Sequence, residues 1–314
     1  MTPKRVHQRL FGTLVGAGAL IALAAIVWIP QMAYPPLTSR EVGRIASPEK
    51  RVQLQQAQSQ VQNDFRSQLL QAIGGLVVAA GAVAAWQQLR LAREGQIAER
   101  FARAIEHLGS GTLDVRIGGI YALEGVAKNS TDDRPAIADT LCAFVREHAR
   151  WPVGAPGGPE HPTPTVDRQV PWLTARAPDV QTALYVLGRR PGHPQEHSLY
   201  LSRADLRRAL LSKAQLAGAN LRHSNLAKAY MPKCNLEHSQ LAHIDLRHAH
   251  LRSARFAYAD LREAHLEHAD LRQAVLQGAD LRGANLSNAC LDGADLTDVR
   301  TDAATIWPDT YRRT

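Results

Sequence analysis

From Leu201 to Leu296 a leucine-like residue recurs every fifth position without a slip. Eighteen of these twenty centres are leucine, and Met231 and Phe256 are the other two. Two residues before each centre stands a small side chain. It is alanine in fifteen units, with Ser224, Cys234 and Ser239 close substitutes and Leu199 and Ile244 larger ones. The residue just before the centre is aspartate or asparagine in half of the units, so the unit reads A-(D/N)-L-x-x, as in Ala259-Asp260-Leu261-Arg262-Glu263. Neither regular element accepts this beat. On an α-helix five residues turn through about 500°, so successive leucines step by about 140° and form no stripe. On a flat strand an odd period throws successive leucines onto opposite faces. Within one unit, however, alanine and leucine are two apart and share a face of an extended segment. The pattern therefore demands short extended pieces joined by corners, with every alanine and leucine turned inward. Stacked coils then bury one continuous core that no single repeat could close.

Residues 199–300 resemble the pentapeptide repeat family, whose signature is this A(D/N)Lxx unit. The resemblance implies a right-handed quadrilateral β-helix with four units per turn, and hence about five coils at about 4.8 Å spacing, a rod of roughly 24 Å. Its core would include Leu206, Leu226, Leu246, Leu266 and Leu286. The ending Thr305-Ile306-Trp307-Pro308 is similar to the tail of many such proteins, with Trp307 over the open edge of the last coil. More loosely, two apolar segments, then Arg116-Ile117-Gly118-Gly119-Ile120-Tyr121-Ala122-Leu123-Glu124, Val186-Leu187-Gly188-Arg189-Arg190 and the repeats resemble a group of bacterial membrane-anchored pentapeptide repeat proteins.

Those apolar segments set the expectation for the N-terminal part, an all-α region including two transmembrane helices. Residues 11–29 lack charge and at 1.5 Å per residue reach about 28 Å, close to the hydrocarbon thickness of a bilayer. Lys4, Arg5 and Arg9 precede them, and Trp28 and Tyr34 lie at the far end, at interface depth. Residues 69–86 form the second span, also without charge. Seven basic residues flank the outer ends of the two spans against five in the 30–68 loop, which places both termini in the cytoplasm at a cell membrane crossed more than once. Gly12 with Gly16, and Gly75 with Ala79, have the spacing that permits a homodimer through the spans. Between the spans, Ser47-Pro48-Glu49 starts a helix that runs toward the second one.

The expected organisation is then a membrane anchor over 1–95, a small helical bundle over 96–150, a Pro/Gly-rich linker over 151–196 with a short helix at 178–188, the β-helix over 197–301 and a C-terminal cap over 302–314. The bundle has three helices, the first ending near Leu108, the second over Leu113–Lys128, the third from Arg134-Pro135. Seven prolines between 152 and 178 carry the linker assignment.

Charge and motifs narrow the function. The chain carries 37 Lys and Arg against 29 Asp and Glu, but within 199–300 the balance is only 14 against 11. Copying the phosphate spacing of DNA needs a strongly anionic rod, so a topoisomerase-binding DNA mimic, which likeness to quinolone-resistance pentapeptide proteins would imply, is the alternative the charge disfavours. Three cysteines, Cys142, Cys234 and Cys290, make no disulfide framework and no CxxC pair. No catalytic or cofactor motif opens a helix, so the expectation is neither an enzyme nor a cofactor or metal protein. A twenty-residue coil stacks residues twenty apart. Arg222, Arg262 and Arg282 then share one column, Arg252 and Arg272 a second, His248 and His268 a third, and His223 and His243 a fourth. These ladders are the candidate interaction surface of a membrane-tethered scaffold for an unidentified protein partner, with anionic lipid or nucleic acid as the arginine-binding alternative.

Overall fold

The computed structural model describes Gly18, Ala22 and residues 24–35, 47–151, 170–190 and 198–309. The chain divides into two compact units, Met1–Gly95 and Gln96–Thr314. Its described helices are α1 (Ala24–Ala33), α2 (Pro48–Leu108), α3 (Leu113–Asn129), α4 (Arg134–His148), α5 (Leu173–Arg176) and α6 (Pro178–Gly188).

The repeats build a β-helix whose rungs lie twenty residues apart. Parallel bridges join Tyr200 to Asn220, Asp205 to Asn225, Leu210 to Tyr230 and Gln215 to Asn235, and the same step continues through Asp280 and Arg300. A period of twenty is four units per turn. From Leu206 on, each unit turns its corner through a bond from the amide three residues later back to the carbonyl of the centre, as from Ala209 to Leu206 at 3.0 Å. The second residue after every centre, from Arg203 to Asp298, has φ between +55 and +70°, the signature of a type II turn. Asp or Asn before the leucine closes the corner locally. Its Oδ1 accepts the amide two residues on, at 2.9 Å from Asn225 to Ala227 and 3.1 Å from Asp245 to Arg247. Inward-facing Leu206, Leu226, Leu246, Leu266 and Leu286 are fully buried, as are Met231 and Phe256.

The amide before each centre bonds the coil before it, as Asn220 bonds the carbonyl of Leu199 (2.8 Å), so these amides of the first coil need acceptors from elsewhere. Three are supplied. Asp205 donates to the carbonyl of Ala149 at the end of α4 (2.6 Å), Leu210 to the side chain of Gln181 (2.9 Å) and Gln215 to the carbonyl of Gly188 (2.8 Å). Gly188 must be glycine for this approach, because a Cβ there would meet that of Ala214 at 2.9 Å. The helices and the coils share one hydrophobic core running from Ala104 to Ala289.

This corrects the expected organisation. Residues 96–150 do not close a bundle of their own. With α5 and α6 they roof the β-helix, because the first coil's unpaired edge and apolar mouth must be covered. Nor is all of 151–196 linker. Residues 152–169 and 191–197 lie outside the described ones, but between them Leu173, Val180, Ala183 and Leu184 are buried, and α5 was not foreseen. Pro178 starts α6 and Pro171 stands just before the cap of α5, rather than extending a linker. The motif segments sit here too. Arg116 Nε bonds Asp179 Oδ2 at 2.7 Å, tying α3 to the first turn of α6. Gly119 lets α3 touch α2, where a Cβ would lie 2.9 Å from the carbonyl of Ala104.

In the other unit the expected pair of spans is not found. Among the described residues one helix, α2, holds a stretch long and apolar enough to cross a membrane. The first expected span falls largely outside them, and its described part, α1, has only ten residues. Gly74, Gly75 and Gly81 do not interrupt α2, which also absorbs the separate helix expected to end at Leu108. Glycine costs a helix about 1 kcal/mol each, too little to end one flanked by leucine, alanine and glutamine. At the far end of the β-helix Ile306 pairs with Asn285 and adds a partial rung, and Trp307 packs against the core.

Candidate interaction faces

Residues twenty apart do stack, and the stacking changes what each column offers. Arg262, Arg272 and Arg282 each fold back on the aspartate two residues earlier. Nε and Nη2 of Arg262 reach the two oxygens of Asp260 at 2.7 and 2.9 Å. Arg272 grips Asp270 at 2.7 and 2.7 Å, and Arg282 grips Asp280 at 2.8 and 2.6 Å. These forked pairs hold the three carboxyls below their ordinary range, the arginine hydrogen bond being the largest cause. Arg207 and Arg247 repeat the arrangement on Asp205 and Asp245. Arg222 reaches across to Asp260 at 3.4 Å, and Arg252 Nε lies 3.4 Å from Gln273 Oε1. In these arginine ladders Arg222, Arg262, Arg272 and Arg282 are therefore ion-paired, and Arg252 faces a glutamine. The corner geometry causes this, since residues either side of an inward leucine both point outward and within reach.

The histidines stack as flat plates. His223 and His243 have ring centroids 4.6 Å apart and planes 9° apart, and His248 and His268 are at 4.7 Å and 2°. Burial, then the neighbouring His243, Arg203 and Arg222, lowers the pKa of His223; burial, then His268, Lys228 and Arg247, lowers that of His248. A lowered pKa favours the uncharged ring at His223 and His248, and both columns present stacked ring faces. His243 Nδ1 lies 3.2 Å from Glu263 Oε2, and Arg222, His223, His243, Arg262 and Glu263 surround a hollow of about 200 Å³. Among the described residues no three His, Cys, Asp or Glu side chains are grouped to hold a metal ion.

Two further columns escaped the sequence reading. His238 stacks on Tyr258 at 5.2 Å and 9°, and Tyr230 lies 5.8 Å from His250. The signal was present, because both pairs are twenty apart, and Gly278 one step beyond Tyr258 leaves its ring room that a Cβ would take, at 2.6 Å. Tyr200, Tyr230 and Tyr258 are exposed. Cys142 and Cys234 are buried, and burial pushes the Cys142 thiol up to about 12; Cys290 is exposed.

A family model for pentapeptide repeats matches in eight copies over residues 200–237, 233–266 and 259–298. Rfr23, a pentapeptide repeat protein of the cyanobacterium Cyanothece 51142, is 35% identical over 30% of this chain and 64% of its own, with a TM-score of 0.30. A pentapeptide repeat protein of Nostoc PCC 7120 is 34% identical over 31% of this chain and 77% of its own, with a TM-score of 0.21. QnrB1, a plasmid-mediated fluoroquinolone resistance protein, is 20% identical over 33% of this chain and 78% of its own, with a TM-score of 0.15. No curated protein matches. The chain belongs to the pentapeptide repeat family.

Proposed function

We propose that the protein is a non-catalytic scaffold, tethered to a membrane, whose β-helix presents rigid faces to a protein partner. The observation that carries this reading is the locked surface. Outward side chains repeat every twenty residues, with arginines returned to their own aspartates and flat His and Tyr columns between them. Aromatic, preorganised surface favours a protein partner, because little side-chain freedom is left to lose on binding. The carboxylates before each leucine are occupied by corner amides and arginines, which leaves them no part in acid–base chemistry. Neutralised arginines also argue against nucleic acid and anionic lipid, and the small net charge of the repeats against DNA mimicry.

The tether in this reading is the Leu69–Trp86 stretch of α2, whose Leu76, Val77, Val78 and Trp86 are exposed. A second crossing at 11–29, with both termini in the cytoplasm and a dimer through the small-residue spacings, completes the proposal from the sequence alone.

Proximity labelling in the native host with the tag at Thr314 tests it. The expected result is a defined set of labelled proteins that is lost when His238 and Tyr258 are both changed to Asn with melting unaltered. An identical set from a chain lacking residues 199–309 would overturn the scaffold reading. Reaction of Thr314→Cys, in a Cys290→Ser background, with an impermeant reagent added outside intact cells would overturn the topology.

A further inference from the structure

Between α3, α4 and α6 lies a half-open cavity of about 260 Å³, away from the ladders. Ile137, Ala138, Leu141 and Leu187 line its floor, and of these Ile137, Leu141 and Leu187 are almost completely buried and so held rigidly. Around it stand Lys128, Arg134, Arg189 and Arg190, with Glu124 the only carboxylate among the described lining residues. That single carboxylate lies 3.1 Å from Lys128 Nζ and 3.4 Å from Arg189 Nη2, so positive charge remains in excess at the mouth. Arg134 Nε donates to the carbonyl of Ala127 at 2.9 Å, which fixes its guanidinium at the rim.

An apolar chamber offers dispersion contacts along its whole lining, and a cationic mouth selects the charge of what enters. The two together specify an apolar body with an anionic end. A methylene occupies about as much room as a water molecule, about 30 Å³, so the cavity holds a chain of roughly eight or nine groups. We propose that the helical roof binds a medium-chain carboxylate, its chain against Ile137 and Leu141 and its carboxylate at Arg134. Arginine suits this end of the ligand because its planar fork takes both carboxylate oxygens at once. The proposal does not depend on the scaffold reading. A ligand here would brace α3, α4 and α6 against one another, and through Gly188 and Gln181 the first coil as well.

The full chain in lipid nanodiscs, photolabelled with a diazirine analogue of octanoate and digested for mass spectrometry, tests the proposal independently of any partition into lipid. Saturable labelling of α3, α4 or α6, displaced by unlabelled octanoate and abolished by the cavity-filling Ala138→Trp, is the expected result. Arg134→Gln should weaken octanoate at least tenfold while leaving the matching octanol probe unchanged, a difference that a merely destabilised roof cannot produce. Should Ala138→Trp not fold, the Arg134→Gln comparison of the two probes decides. Labelling confined to α2, or an Arg134→Gln chain that labels with octanoate as strongly as the parent, overturns it.

Discussion

Gln181 does the work of a peptide unit. Its side-chain amide, almost fully buried on α6, accepts from the Leu210 amide at 2.9 Å and donates to the Leu210 carbonyl at 2.8 Å. Gln181→Leu would strand both backbone groups under the roof and should cost about 2–4 kcal/mol, read by chemical denaturation; a cost below about 1 kcal/mol would show water replacing it. Leu246, fully buried in the third coil, should cost about 2–5 kcal/mol as alanine. The histidine columns set a pH dependence of definite sign. His223 and His248 titrate lower folded than unfolded, so above about pH 7.5 both states are neutral and stability is unaffected. As pH falls through about 6.5 the unfolded chain takes up protons that the stacks resist, and stability drops until the folded rings protonate too. The depressed carboxyls of Asp260, Asp270 and Asp280 act in a separate window, stabilising above about pH 3.9 and losing this below it. Melting of the His223→Asn/His248→Asn chain between pH 7.5 and 5.5 should therefore be flatter than the parent; an unchanged slope would refute the stacked-ring account.

At the scale of the element, each corner holds a left-handed residue, and none of the twenty is β-branched. A branched Cβ crowds the carbonyl in this region, so Ser253→Val should lower stability by about 1–3 kcal/mol, whereas Ser253→Gly should hold or raise it. This exclusion is legible in the sequence as an absence at one register rather than as a recurrence. The forked ion pairs were readable as well. Asp-Leu-Arg occurs at 205–207, 245–247, 260–262, 270–272 and 280–282, and two outward residues flanking an inward one lie within reach of each other. Changing Asp260, Asp270 and Asp280 together to Asn should release three cations and markedly increase retention on an anionic column. Unchanged retention would mean that other carboxylates take up the released guanidiniums.

At the scale of the whole molecule, the twenty-residue rung makes the rod divisible only in whole turns. Deleting residues 242–261 should leave a cooperative, folded chain with its roof and final rung intact, because every remaining inward position keeps its face. Deleting five residues instead moves all later columns by one face and should separate Trp307 from its packing on the core. A twenty-residue deletion that melts no more cooperatively than a five-residue one would contradict this geometry.

What the amino-acid order settled alone was periodic. An inward leucine every fifth residue leaves one closed solution, and the starts of α3, α4 and α6 carry their own local signals at Thr112, Pro135 and Pro178. What it could not settle was pairing between distant parts. That Ala149, Gln181 and Gly188 supply acceptors to one coil edge depends on where three separated chain segments meet, and no local pattern encodes a shared acceptor. The same holds for charge. Fourteen basic residues in the repeats announce a basic surface, but only the corner geometry decides that five of their guanidiniums turn back onto neighbouring carboxylates, because an ion pair is a property of distance and not of composition.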